Sequence, residues 1–392
     1  MLGSRGLPFE VPAYSLTGDI LAFQRCPLQY RYYNGSSLPP SRPVQMWTGE
    51  FIHGVLEEGY RYWQMHRPSF PWPYTVPDWP PVEDPPSQQP NDIGRLGQRV
   101  EIRLAAGGKT SRNRAARLAA YSRVEAAVNI LGEHLFPLIT AAEQRISGTR
   151  EMPPAPAGQT ARGDRYELTG IVDVISSIVL GQETTNPIVH LIQASLPATP
   201  AGEYDVIVDY KGLRRPPIGS QFRSHFEWQV QTYAWLRGQM PGVHRVGAGV
   251  LIFVNELSPS QTDIEELKGE MLRGEADVVP VNGTQDYYAI HRYSPQNPVP
   301  SLTLDFRLRR AIKVIDVSDN LLSNALHEID GVVTQIESSA FVEHNTGNIP
   351  SHWQACGGAN DCVACDFVHF CPSPHGHREA GDPAKPLPAA PG

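Results

Sequence analysis

Two positions apart near the middle of the chain, Asp209 and Lys211 close the segment Ile207-Val208-Asp209-Tyr210-Lys211-Gly212. The apolar, β-branched residues ahead of the acid read as a strand, and a two-residue separation on a strand sends both side chains to one face. A carboxylate placed there can hold a hard divalent cation while the ammonium meets a phosphate or an attacking water. Chance supplies such pairs in a chain with 41 acidic residues, and Glu266-Leu267-Lys268 is another. That second pair lies in a polar helical stretch, Ile264 to Glu270, and reads as an exposed helix pair.

Company singles out the first pair. Upstream, Leu168-Thr169-Gly170-Ile171-Val172-Asp173-Val174-Ile175 puts one acid into a β-branched strand, where a carboxylate without a partner is costly and calls for a cation. Downstream, Gln229 and Tyr233 stand four apart in a helical stretch and share a face that can point back at the acids. Earlier still, Gly49-Glu50-Phe51-Ile52-His53-Gly54-Val55-Leu56-Glu57 supplies a helical histidine, a further metal ligand. Each residue alone has an ordinary structural explanation. The order His, Gly-x-x-Asp, Asp-x-Lys, Gln-x-x-x-Tyr is much harder to produce by accident.

The cysteines form a second constellation. Cys26 stands near the start and Cys362-x2-Cys365-x5-Cys371 near the end, so the four can share one ion or cluster only if the fold closes the chain into a loop. A local zinc site from Cys356, Cys362, Cys365 and Cys371 is the alternative, which leaves Cys26 over.

The elements that must carry these residues belong to a long chain. Its 392 residues imply two or three structural units with ample material for a core. The longest apolar run, Val246 to Val254, is too short for a bilayer, and Met1 to Ser15 lacks the apolar centre of a signal peptide. A reducing, cytoplasmic setting is expected, where clustered cysteines suit metals better than disulfides. A net charge of −8 argues against a broad surface for coating nucleic acid. Positive charge does gather locally: Arg95, Arg99, Arg103, Lys109, Arg112, Arg114, Arg117 and Arg123 are opposed in that interval only by Glu101. On a helical arm, Arg112, Arg114 and Arg117 would meet phosphates; the plainer reading is a solvated helix face.

Pro68 to Pro90 holds nine prolines, which bars helix and central strand and marks a surface excursion. Ile93 to Ile146 reads as helices around a Gly107-Gly108 break, Tyr166 to Ile178 and Tyr204 to Tyr210 as extended, Gln221 to Met240 as helix, Val243 to Val254 as strand, and Leu302 to Phe341 as helix. The tail from Ser373 is rich in Pro, Gly and Ala and reads as disordered. Gly107-Gly108-Lys109-Thr110 suggests a phosphate loop, but Arg103 replaces the required first glycine and no strand precedes it.

These blocks together resemble the PD-(D/E)XK nucleases of RecB type, including AddB-like nucleases and the iron–sulfur exonucleases of CRISPR adaptation. The resemblance covers Tyr14 to Tyr33, Gly49 to Glu58, Leu168 to Ile175, Val206 to Gly212, Gln229 to Leu236 and Cys362 to Cys371. It implies an α/β fold with a restriction-endonuclease-like core, a mixed sheet flanked by helices, plus a helical insertion and a C-terminal cysteine segment. The corresponding divisions are residues 1–67 (N-terminal helices), 68–142 (Pro-rich loop and basic insertion), 143–345 (nuclease core), 346–372 (cysteine segment) and 373–392 (tail).

It also implies that His53, Asp173, Asp209 and the carbonyl of Tyr210 hold Mg²⁺ or Mn²⁺, that Lys211 orients or activates water, and that Gln229 and Tyr233 position the nucleophile or the backbone. Glu143 stands where such proteins often carry an acid ahead of the first catalytic strand. A [4Fe-4S] cluster on Cys26, Cys362, Cys365 and Cys371 is implied, with Cys356 surplus and zinc as the alternative. The expected activity is a DNA nuclease, in particular an exonuclease on single strands or ends in repair, recombination or CRISPR defence, served by a helicase or defence partner in trans. A nuclease-like subunit that binds DNA without cutting, and a zinc-stabilised interaction protein, are the competing readings.

Overall fold

A computed structural model describes residues 9–35, 44–78, 89–197, 200–349, 352–355, 362, 365–368 and 371–372. In chain order its elements are β1 (Ala13–Ser15), α1 (Leu21–Arg25), α2 (Pro27–Gly35), α3 (Val44–His66), α4 (Ile93–Ala106), α5 (Arg114–Leu135), β2 (Ile139–Glu151), β3 (Arg165–Leu180) and α6 (Pro187–Ser195). There follow β4 (Gly202–Lys211), α7 (Gln221–Gly238), β5 (Val246–Phe253), α8 (Gln261–Arg273), α9 (Gln285–His291), α10 (Leu304–Ala311), β6 (Ile312–Ile315) and α11 (Asp319–Thr346). Two compact units divide the chain. One gathers residues 1–41, 145–170 and 319–392, and the other residues 42–144 and 171–318.

The larger unit, 42–144 with 171–318, is a mixed sheet flanked by helices. Its strands run β3-β4-β5-β6, with β2 also pairing β3. β3 and β4 are antiparallel, β4 and β5 parallel, β5 and β6 antiparallel. Asp205 through Tyr210 are all buried, the mark of a central strand covered on both faces. On α3, Trp47, Phe51, Val55, Ile52, Leu56 and Tyr60 recur at helical spacing and are buried among residues of α4, α5 and the sheet. Full burial of side chains of this size stabilises by roughly 1.5–3 kcal/mol each.

Two glycines set how close the site-bearing helices come. A Cβ on Gly249 of β5 would lie 2.0 Å from Cγ1 of Val230, so α7 rests directly on the sheet. A Cβ on Gly212, just past β4, would lie 3.0 Å from Cδ1 of Ile52 and 3.4 Å from Cα of Gly49, which brings the His53 turn of α3 down onto the end of β4.

Several expectations are corrected. Helix does not continue through Ile146, because the chain turns into strand at Ile139 and pairs with β3. Helix from Leu302 is broken by β6, whose Ile312-Lys313-Val314-Ile315 pairs with β5. The proline-rich excursion is anchored, since Trp72 is buried in the core and its backbone N–H donates to Oδ1 of Asn129 on α5. Among the described residues no helix is long and apolar enough to cross a membrane.

The smaller unit is tied by charge and aromatic contacts. β1 pairs in parallel with Glu167 to Thr169 at the start of β3. Arg162 donates to both carboxylate oxygens of Glu337 on α11, and Tyr14 Oη donates to the same carboxylate. Arg150 and Tyr166 share Asp330 in the same way.

Candidate metal and phosphodiester site

Five elements of the larger unit converge at one end of the β3–β4 pair. Antiparallel pairing runs from Leu180 opposite Gly202 to Val174 opposite Val208. Asp173 and Asp209 are the next residues past that last pair, one on each strand. Asp173 Oδ2 accepts the backbone N–H of Tyr210 at 2.8 Å, which locks the two strands at the site. On β4, Lys211 Nζ lies 2.6 Å from Asp209 Oδ2, as the two-residue spacing requires.

From α7, Gln229 Oε1 accepts from Lys211 Nζ at 2.9 Å, and Gln229 Nε2 donates to Tyr233 Oη at 3.1 Å. From α3, His53 Nε2–H donates to the Tyr210 carbonyl at 2.8 Å, while Nδ1 lies 3.3 Å from Asp173 Oδ1. Glu143, on β2, completes the group: its carboxylate, the His53 ring and Asp173 each offer a donor atom, all within 4.8 Å of one another. Glu143 has φ 49, in the left-handed region that non-glycine residues rarely adopt, so the strand is kinked where this side chain leaves it. A cavity of about 10 Å³, lined by His53, Glu57, Glu143, Asp173 and Tyr210 among others, lies between these groups. That is room for about one water-sized sphere.

The electrostatics are unbalanced. Burial pushes the Asp209 carboxyl up to about 6; Lys211 pulls it down, and Asp173 adds repulsion. Asp173 is buried too, yet His53 and the hydrogen bonds it accepts hold it below the ordinary carboxylate range. Desolvation pushes Glu143 up to about 7, with Asp173 and Glu57 repelling it further. Burial opposes charging of His53, but the Asp173 and Asp209 carboxylates and the Tyr210 carbonyl outweigh it and carry its pKa up to about 9. A protonated His53 bridging a carboxylate and a carbonyl does in this structure what a cation does. An imidazole, carboxylates and a backbone carbonyl around an ion-sized space form a mostly hard, oxygen-rich donor set, and crowded carboxylates with raised pKa values are relieved by a divalent ion. The residues fit Mg²⁺ or Mn²⁺.

All of His53, Asp173, Asp209, Tyr210, Lys211, Gln229 and Tyr233 are therefore brought together. Arg117 is not at a surface. It is fully buried on α5, paired with Glu101 at 2.7 Å, stacked over Tyr121 and donating to the Pro77 carbonyl, so it holds α4 to α5 and cannot meet DNA. Arg112 and Arg114 are exposed. Elsewhere on the basic stretch, Arg103 pairs with Glu58, Lys109 with Glu50 and Arg123 with Asp263, acids that the sequence keeps far away. The Glu266–Lys268 stretch is helical, and its members go separate ways: Glu266 pairs with Arg214 and Lys268 donates to the Tyr293 carbonyl.

In the smaller unit Cys26 and Cys362 are buried, and Cys365 and Cys371 half-buried. Burial pushes the Cys365 thiol up, and Cys26 and Cys371 lie near enough to add to it. The N- and C-terminal segments meet here, with Leu28 N–H donating to the Gln354 carbonyl and Tyr32 and Tyr33 packed on Phe367. Cys356 and the tail from Ser373 lie outside the described residues.

The sheet and the acid–lysine site define a mixed α/β fold consistent with a restriction-endonuclease-like core. A model of the PD-(D/E)XK nuclease superfamily matches residues 18–184, so that stretch is similar to that superfamily. The match includes His53, Glu143 and Asp173 and stops short of Asp209 and Lys211, whose assignment rests on geometry. No curated protein matches. Among solved structures, a chain described as SSO0001 is 11% identical, with 81% of this chain and 94% of that one covered at a TM-score of 0.23, too low for any argument.

Proposed function

We propose that this chain is a divalent-metal-dependent deoxyribonuclease, and that the convergence of Asp173 and Asp209 from two strands on Lys211 and His53 is the observation that carries the reading. His53, Asp173, Asp209, the Tyr210 carbonyl and Glu143 would hold Mg²⁺ or Mn²⁺. Bound there, the ion would supply positive charge to the phosphodiester oxygens and acidify a water. Lys211, fixed between Asp209 and Gln229, would offer its positive charge to the attacking water or a non-bridging oxygen. Tyr233 steadies Gln229 and thereby the lysine.

A single strand or free end is the favoured substrate, because an enclosed site admits one strand more readily than a duplex. For Cys26, Cys362, Cys365 and Cys371 a [4Fe-4S] cluster is proposed, supported by the meeting of both cysteine segments in one unit. Iron and sulfide in anaerobically purified protein support it; stoichiometric zinc refutes it. For the nuclease reading, labelled linear and circular single strands are incubated with Mg²⁺, Mn²⁺ or chelator beside Asp209→Ala. Metal-dependent cutting by the wild type that the variant lacks is expected. Cutting of the circle identifies an endonuclease, and equal cutting by the variant refutes the assignment.

A further inference from the structure

Lys211 has a third neighbour. Its Nζ stands 4.6 Å from the ring centroid of Phe226, within the range where an ammonium is drawn to the electron-rich face of an aromatic ring. Phe226 lies on α7 three residues before Gln229 and seven before Tyr233, so the three share one face of the helix. The ring is itself propped. Phe253, fully buried at the end of β5, contacts Phe226 at 6.4 Å between centroids and is the register partner of Lys211 across the β4–β5 pair. The ammonium thus meets a carboxylate, an amide oxygen and a π face, and two of those three neighbours come from a single helix face.

We infer that Phe226 is a positioning residue of the catalytic centre, whose ring face holds the Lys211 ammonium in line with the scissile phosphate. The inference rests on reading Asp209 and Lys211 as a phosphodiesterase centre. A long, flexible lysine chain has much rotamer freedom to lose, and a fixed ring removes one direction in which it could swing away. The effect is expected on the chemical step, since the ring contacts the lysine.

Five lysines make the test direct. In full-length protein with ¹³C-labelled lysine, the Lys211 ε-methylene signal, assigned with Lys211→Arg, is expected upfield because of the Phe226 ring current. Phe226→Leu and the unbranched, more adaptable Phe226→Met should return it to the position of an ordinary lysine, while Phe226→Tyr keeps it shifted. In cleavage assays kcat is expected to fall about tenfold in both aliphatic variants with KM little changed, and to recover in Phe226→Tyr. Thermal melts of all three show whether the fold persists, and at least one aliphatic variant of near-native stability decides the matter. A lysine signal that does not move, or a folded aliphatic variant that cuts at the wild-type rate, overturns the inference. A wild-type chain that cuts nothing refutes the nuclease reading instead, and the lysine signal still decides whether the ring holds the ammonium.

Discussion

Two clusters of buried charge in the larger unit differ in one respect. Around Asp277, Glu227 and Glu256 every acid has a cationic partner: Arg215 and Arg223 pair with Asp277, Arg223 and Lys313 with Glu227, and Arg310 with Glu256. Arg215 spends its remaining N–H groups on the carbonyls of Arg309, Arg310 and Ile312. Burial would raise the Asp277 carboxyl, but Arg215 and Arg223 hold it down at about 2. At the other cluster Asp173, Asp209 and Glu143 crowd together, and two of the three are pushed up toward neutrality. A closed network fastens α10 and β6 to the sheet. An open one is a site in want of a cation, and such perturbed carboxylates concentrate where chemistry is done.

Removing an acid from each cluster separates the two roles. Asp209→Asn is expected to lower cleavage by roughly 10³-fold or more while the melting temperature holds or rises, because burial and the Asp173 charge both oppose ionisation of this carboxyl. Glu256→Ala should do the reverse, costing about 3–5 kcal/mol in denaturant unfolding by stranding Arg310. Metal sharpens the contrast. Mn²⁺ at a hundred times its Kd is expected to stabilise the wild type by about 2.7 kcal/mol and Asp209→Asn by much less, read as melting shifts with and without chelator. The smallest effect is acid sensitivity. Asp277 ionises more easily folded than unfolded, so its contribution is complete above its unfolded pKa of 3.8 and disappears as pH falls toward about 2. Asp277→Asn should flatten the stability profile in that interval, as followed by urea unfolding.

The same contrast explains what was legible in the sequence. His53, Asp173, Asp209, Lys211, Gln229 and Tyr233 could be singled out because each sits in a short stretch whose local periodicity fixes its face, and the structure assembles them. Arg117 was misread because the acid that buries it lies on another helix, and only packing of α4 on α5 brings Glu101 to it. β2 was hidden for a related reason: Ala141-Ala142-Glu143-Gln144 favours helix locally, and pairing with β3 overrides that preference. The left-handed backbone of Glu143 and the placement of Phe226 beneath Lys211 are three-dimensional facts with no local signature.

The central claim is that Lys211 acts beside a metal held by Asp173 and Asp209, and single-turnover cleavage of a labelled single strand in Mn²⁺ tests it most directly. Wild-type protein is expected to cut only with the metal present, and folded Lys211→Ala to cut at least about 10³-fold more slowly. Equal rates for the two proteins would contradict the account.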